Sequence, residues 1–210
     1  ICAVQFGCGP IGCAVAKLAL QRTDIKLVGA VDIDKEKVGR DLGELIGLDK
    51  KLGVRITDDV DRLFAKKKVD VVFHQTSSSL KTVAPQLTKL LKFGVNIVST
   101  TEELAYPYHS HPRLAAEVDR VAKANGVTVL GTGVNPGFFM DSWVLFMRAV
   151  CQEAKRVKAI RIQDASSRRL PFQKKIGAGR TPEEFRKLVD NATLRHVGIT
   201  QSISMIAAGV

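Results

Sequence analysis

Cys2-Ala3-Val4-Gln5-Phe6-Gly7-Cys8-Gly9-Pro10-Ile11-Gly12 is the stretch on which the reading of this chain turns. An apolar run of strand length leads directly into Gly-x-Gly-x-x-Gly. An amphipathic stretch of helix length follows over Ile11–Gln21. The glycine spacing alone says little, but between a strand and a helix it is the phosphate-binding turn of a dinucleotide-binding unit. Gly7 permits the tight turn, Gly9 lets the backbone approach a pyrophosphate, and Gly12 lets the helix pack on the strand. Pro10 and Ile11 open the helix, whose free N–H groups and partial positive charge suit an anion.

Asp32 lies twenty residues beyond Gly12, at the end of a second strand, Lys26–Val31. A carboxylate there can accept hydrogen bonds from both adenosine ribose hydroxyls. It favours NAD, because it repels a 2′-phosphate. Lys35, Lys37 and Arg40 follow closely and can neutralise that phosphate. The expected cofactor is NAD, with NADP tolerated.

The same alternation continues. Strand-length apolar runs at Val69–His74, Val95–Ser99 and Val127–Gly131 alternate with helical stretches at Asp58–Lys67, Leu80–Lys92 and Pro112–Asn125. The strands are continuous Val/Ile-rich runs, as expected when both faces are buried. Their βαβα order predicts an α/β fold with a doubly wound parallel (Rossmann-type) sheet. Asp58 is expected to cap its helix, and Gly94 and Gly126 to end theirs. Asn135-Pro136-Gly137 breaks the pattern, and a helix to about Val150 should follow. Lys155–Gln163 alternates basic and apolar residues, the period of a half-exposed strand in a different sheet. Thr181-Pro182-Glu183-Glu184 has the signature of a helix start. The domains are accordingly expected at 1–134 (dinucleotide-binding) and 135–210 (an incomplete α+β substrate and oligomerisation domain). The chain opens inside a strand and closes on an amphipathic stretch, so a piece of something longer is expected.

Composition excludes several classes. The net charge of +11 is dispersed over the 210 residues, and its clusters (Lys66-Lys67-Lys68, Arg168-Arg169, Lys174-Lys175) lack interleaved aromatics. No nucleic-acid partner is therefore expected, and an anionic small molecule suffices for a basic cleft. No run of eighteen apolar residues predicts a membrane span. Cys2, Cys8, Cys13 and Cys151 form no Cys-x-x-Cys pair and have no His cluster beside them, so they read as reduced thiols in a cytoplasmic protein with no metal.

In open α/β sheets ligands bind beyond the carboxyl ends of the strands. Two such ends carry polar runs: His74-Gln75-Thr76-Ser77-Ser78-Ser79 and Ser99-Thr100-Thr101-Glu102-Glu103. Thr76 and Ser77 are candidates for the nicotinamide ribose; equally, the run reads as a Ser/Thr turn with a helix cap. The second run holds the acids best placed for chemistry. His109 and His111, just before a helix, read as capping or solvent-exposed. Trp143, Phe139, Phe146 and Met147 have helical spacing and suit a core or a subunit interface.

Ser99 to Pro107, Val31 to Asp34, Lys37 to Gly43, Gly131 to Phe138 and Arg168 to Gly177 together resemble the 2,4-diaminopentanoate dehydrogenases and related NAD(P)-dependent amine dehydrogenases. Their first domain is similar to that of dihydrodipicolinate reductase. The resemblance implies oxidative deamination of an amine to a ketone with release of ammonia, or the reverse. It implies Glu102 as acid/base, with the register against Glu103 open. It implies Asn135, Arg161 with Gln163, and His196 as substrate-pocket residues, with Arg168 and Arg169 weaker candidates. A homodimer is expected from unpartnered apolar helices. Two other readings remain open: a reductase of cyclic imines, which needs an acid other than Glu102, and a nucleotide-sensing protein without catalysis.

Overall fold

The computed structural model describes residues 1–166, 170–191, 194 and 197–210. Six strands, β1 (Cys2–Phe6), β2 (Lys26–Val31), β3 (Ile56–Thr57), β4 (Val71–His74), β5 (Asn96–Ser99) and β6 (Val129–Gly131), form one parallel sheet ordered β3-β2-β1-β4-β5-β6. The order reverses between β1 and β4, which is the switch point where such sheets open a crevice. All five expected strands are matched or trimmed by at most two residues. β3 is too short to announce itself in the sequence.

Both faces of the sheet are covered, which explains the unbroken apolar strands. Val4, Val31 and Val72 pack on Leu80, Val83 and Leu87 of α4 (Leu80–Leu91). Ala3 and Ala30 pack on Ala16 and Ala19 of α1 (Pro10–Ala19) and on Leu42 of the short α2 (Leu42–Leu45). Alternate residues of one strand thus feed opposite cores. α3 (Val60–Lys66) is capped by Asp59, whose side chain accepts from the Arg62 amide at 2.9 Å; the expected cap at Asp58 is off by one. Gly94 and Gly126 end α4 and α5 (Pro112–Ala124) with φ of 71° and 64°.

Beyond β6 the chain turns at a cis Asn135–Pro136 bond and enters α6 (Ser142–Arg148). Three helices follow: α7 (Leu170–Lys175), α8 (Pro182–Asp190) and α9 (Ile199–Gly209). Thr181 and Glu184 form the full capping box expected for α8. The strand expected at Lys155–Gln163 is not formed. Those residues are irregular and pair with no strand among the described residues. Nor is the aromatic cluster a core. Trp143 stacks on Phe146, and Phe138 meets Phe139 edge-on and Trp143 at a tilt, yet Trp143 is 47 % and Phe146 69 % exposed.

Candidate active site

The crevice begins at the glycine loop. Gly7 has φ of 92°, which an L side chain rarely adopts, and a Cβ there would lie 2.2 Å from the Gln75 carbonyl oxygen. A Cβ on Gly12 would meet the Gly7 carbonyl oxygen at 1.8 Å, so the helix lies directly on the turn. Gly9 differs: nothing stands within 4 Å of the position its Cβ would take. Gly9 is also the N-cap of α1 and has no side chain to cap it. The first-turn amides of Ile11 and Gly12 accordingly have no partner within the helix and no capping side chain over them. That is a cradle for an anion.

Beside it lies a cavity of about 440 Å³, lined by Gly7, Gly9, Asp32, Ile33, Lys37, Thr76 and Gln86 among others. Asp32 is 11 % exposed at its side chain. Its Oδ2 accepts from the Cys8 amide at 2.7 Å and its Oδ1 from the Asp34 amide at 2.9 Å. Lys37 Nζ lies 3.5 Å from Asp32 and 3.1 Å from Asp34. The hydrogen bond to Asp34 raises the Lys37 ammonium above its ordinary value and holds Asp34 below the carboxylate range. Lys35 and Arg40 are exposed, so of the three cations Lys37 is the one on the cavity wall. Burial, reinforced by Asp32, pushes the Cys8 thiol up to about 12, so it stays protonated. Thr76 stands on the same wall. Ser77 does not line the cavity; its hydroxyl accepts from the Ser79 amide at 3.3 Å and its carbonyl from Thr101 Oγ1 at 2.9 Å.

Two strands along the same sheet edge, Thr101 leads into a 3₁₀ turn, Glu102–Leu104. In such a turn successive side chains diverge by about a third of a revolution. Glu103 turns inward. Its Oε2 accepts from the Leu80 amide at 2.8 Å, capping α4, and lies 3.1 Å from His111 Nε2. Glu102 is half-buried, and its carboxylate has no hydrogen bond or ion pair with any described residue.

What faces Glu102 comes from the second part of the chain. Gly198, the N-cap of α9, has φ of 100°. A Cβ there would lie 2.4 Å from Pro136 Cδ and 3.2 Å from Glu102 Cβ. The Asn-Pro-Gly turn and the start of α9 are thus packed against the acid's turn. Asp141, unremarked in the sequence, fixes this arrangement. It is fully buried and accepts from the Gly137 amide at 2.8 Å, the Ser142 amide at 2.6 Å and Ser202 Oγ at 2.7 Å. Such an acid is recognisable in sequence only as an N-cap, and its tie to α9 is tertiary. Asn135 Oδ1 is buried without a partner among the described residues. Arg161 and Gln163 are exposed and bond each other at 2.8 Å, with Arg161 over the Phe139 ring at 5.9 Å. His196, Arg168 and Arg169 lie outside the described residues.

Residues 3–130 match the family model of the dihydrodipicolinate reductase N-terminus. The chain belongs to that family. Its second part sorts it further: residues 138–210 match the 2,4-diaminopentanoate dehydrogenase C-terminal domain. The chain is 35 % identical over 99 % of its length to a 2,4-diaminopentanoate dehydrogenase of Acetoanaerobium sticklandii, of which it covers 59 %. It is 26 % identical to an amine dehydrogenase of Streptomyces virginiae, over 80 % of this chain and 47 % of that protein. Among solved structures, an amine dehydrogenase from Mycobacterium smegmatis superposes with a TM-score of 0.78 at 28 % identity, over 99 % of this chain and 61 % of that one. The chain thus spans less than two thirds of each of these relatives. The family resemblance expected from the sequence holds across both parts.

Proposed function

We propose that this chain is the cofactor-binding part, with some of the substrate-binding part, of an NAD(P)-dependent dehydrogenase acting on an amine. It converts the amine, 2,4-diaminopentanoate or an analogue, to a ketone and ammonia, or runs the reverse. The observation that carries the reading is the division of labour between adjacent acids. Glu103 caps α4, while Glu102, half-buried at the carboxyl edge of the sheet, is left without a partner. The comparisons support the same class: the 2,4-diaminopentanoate dehydrogenase and the Mycobacterium smegmatis amine dehydrogenase each align over 99 % of this chain, across the acid's turn and the part that faces it.

The dinucleotide would lie with its diphosphate over Gly9 and the amides of Ile11 and Gly12, and its adenosine ribose at Asp32. A bound nicotinamide accepts hydride from the amine-bearing carbon. Glu102 is positioned to do the rest. Its carboxylate stabilises the cationic carbon–nitrogen centre left on the substrate, then takes a proton from the water that attacks it. Pro136 and Gly198 pack against this turn and leave Glu102 half-buried. Thr76 on the cavity wall, and Ser77 beside it, are retained as nicotinamide-ribose candidates. Asn135, Arg161, Gln163 and His196 remain substrate candidates. Asn135 has the best support, since its buried Oδ1 awaits a donor such as a substrate N–H.

NAD is the preferred cofactor and NADP is tolerated, because Lys37 partly neutralises Asp32 at the ribose position. The division near Val134, a cytoplasmic location and a homodimer belong to the same reading. The free cysteines support the second and the exposed Trp143–Phe146 cluster the third. The cyclic-imine reductase reading is weaker, since residues 138–210 match the diaminopentanoate dehydrogenase domain. The test is ammonia-dependent NADH oxidation by the full-length protein with 2-amino-4-oxopentanoate and simple ketones. Turnover is expected; NADH binding without turnover on any of them would favour a nucleotide sensor.

A further inference from the structure

A buried histidine lies between the two halves of this site. His74 ends β4, has no solvent exposure, and stacks on Phe6 with ring centroids 5.4 Å apart. Its Nδ1 lies 2.9 Å from Ser99 Oγ. Its Nε2 lies 2.9 Å from Gln86 Oε1 and 3.2 Å from Thr76 Oγ1. Gln86 and Thr76 both line the dinucleotide cavity. Ser99 leads the other way: its hydroxyl donates to Thr101 Oγ1 at 3.0 Å, and Thr101 Oγ1 donates to the Ser77 carbonyl at 2.9 Å. Thr101 is the residue immediately before Glu102 and the N-cap of its turn.

Proton bookkeeping fixes the direction of this chain. A hydroxyl has one hydrogen to give. Thr101 spends its hydrogen on the Ser77 carbonyl and Ser99 on Thr101, so Ser99 can only accept from the imidazole. Nδ1 therefore carries the hydrogen. Burial lowers the affinity of the ring for a second proton, so Nε2 is an acceptor. The Gln86 amide must then present its N–H₂ to Nε2, its nitrogen taking the place at which Oε1 stands between Nε2 and Thr76 Oγ1, since the two atoms are interchangeable in position. One hydrogen of that group reaches His74 and the other Thr76 Oγ1, 2.9 Å away. The Thr76 hydroxyl hydrogen is left to point into the cavity, since Gln86 takes the single lone pair of Nε2.

We infer that His74 is a positioning residue with two arms: Nδ1–H holds the Ser99–Thr101 hydroxyl chain that sets the Glu102 turn, and Nε2 holds the Gln86–Thr76 wall of the dinucleotide cavity. The inference rests on the dehydrogenase reading for its kinetic consequence, but not for its geometry. One buried ring couples the register of the acid to the register of the cofactor wall.

The arms can be cut separately. An asparagine amide reaches about as far as Nδ1, and a glutamine amide about as far as Nε2. His74→Asn keeps the donor to Ser99 and loses the cavity arm. NADH Kd, read by fluorescence titration of the full-length protein, is expected to rise about tenfold, with kcat held within about twofold. His74→Gln keeps the cavity arm and loses the donor to Ser99. Here kcat is expected to fall about tenfold, with NADH Kd within about twofold. Thr101→Val should reproduce the second pattern. Both histidine variants shifting kcat and Kd together, or shifting neither, would overturn the inference. Should those variants not fold, long-range ¹⁵N–¹H spectra of the native protein decide. A neutral ring protonated at Nδ1 supports the assignment, and one protonated at Nε2 refutes it. Native protein that shows the Nδ1–H form without any turnover would count against the dehydrogenase reading and leave the His74 geometry standing.

Discussion

Glu103 Oε2 sits 2.8 Å from the Leu80 amide, at the head of the helix that forms one wall of the crevice. That bond separates two acids that sequence could only place side by side. A carboxylate that satisfies a helix N-terminus contributes stability, and the half-buried side chain (20 % exposed) also meets His111. Glu103→Ala is therefore expected to cost about 1–2 kcal/mol of folding stability. Glu102→Ala should cost little, having no partner to lose. Chemical denaturation of the two variants checks the order; equal losses would show that the acids are not divided in this way.

Gly9→Ala and Gly12→Ala should fail in different ways. The Gly9 methyl enters open space, so the protein should fold with an unchanged melting temperature. The methyl then occupies the diphosphate cradle, and NADH affinity should fall about tenfold or more. The Gly12 methyl would meet a backbone oxygen at 1.8 Å, so α1 must move away from the turn. That variant should melt several degrees lower whether or not NADH is present. Paired melting curves with and without NADH distinguish them.

The contour of the glycine loop was legible because each glycine answers a local steric demand within a strand–turn–helix that sequence patterning shows directly. The parallel sheet was legible for a similar reason: runs without alternation require two covered faces. Tertiary features were not legible. β3 is two residues long, Asp141 makes its bond to Ser202 across sixty-one residues, and the Glu103 cap joins segments twenty-three residues apart. The alternation in Lys155–Gln163 misled because a strand is defined by its partner as much as by its own pattern. His74 had one visible signal, a polar residue ending Val71-Val72-Phe73, since a polar side chain buried there must find partners.

Lys37 should govern the choice between cofactors. With Lys37→Ala, Asp32 and Asp34 lose their shared cation and a 2′-phosphate meets two unscreened carboxylates. NADPH Kd should rise about tenfold, while NADH Kd stays within about threefold. Isothermal titration with both cofactors reads this ratio. An unchanged ratio would remove Lys37 from the ribose site.

Acid should destabilise the protein through His74. Burial holds the folded imidazole below its ordinary value of 6.5. Above that pH both folded and unfolded forms are neutral, and the group contributes nothing to the pH slope. As the pH drops below 6.5 the unfolded chain binds a proton that the folded ring resists, so stability falls. The melting temperature should therefore decline between about pH 6.5 and 5, and His74→Asn should flatten that decline. A native protein with the same slope as the variant would show that the ring titrates freely in the fold.

The most direct measurement is the turnover of Glu102→Gln in the full-length protein, at saturating NADH, ammonia and ketone, alongside its NADH Kd. The glutamine keeps the size of the side chain and removes its capacity to exchange a proton. NADH should bind within about twofold of native, and kcat should fall by about a hundredfold or more. A variant that binds NADH and turns over at the native rate would contradict the assignment of Glu102 as the acid/base of this site.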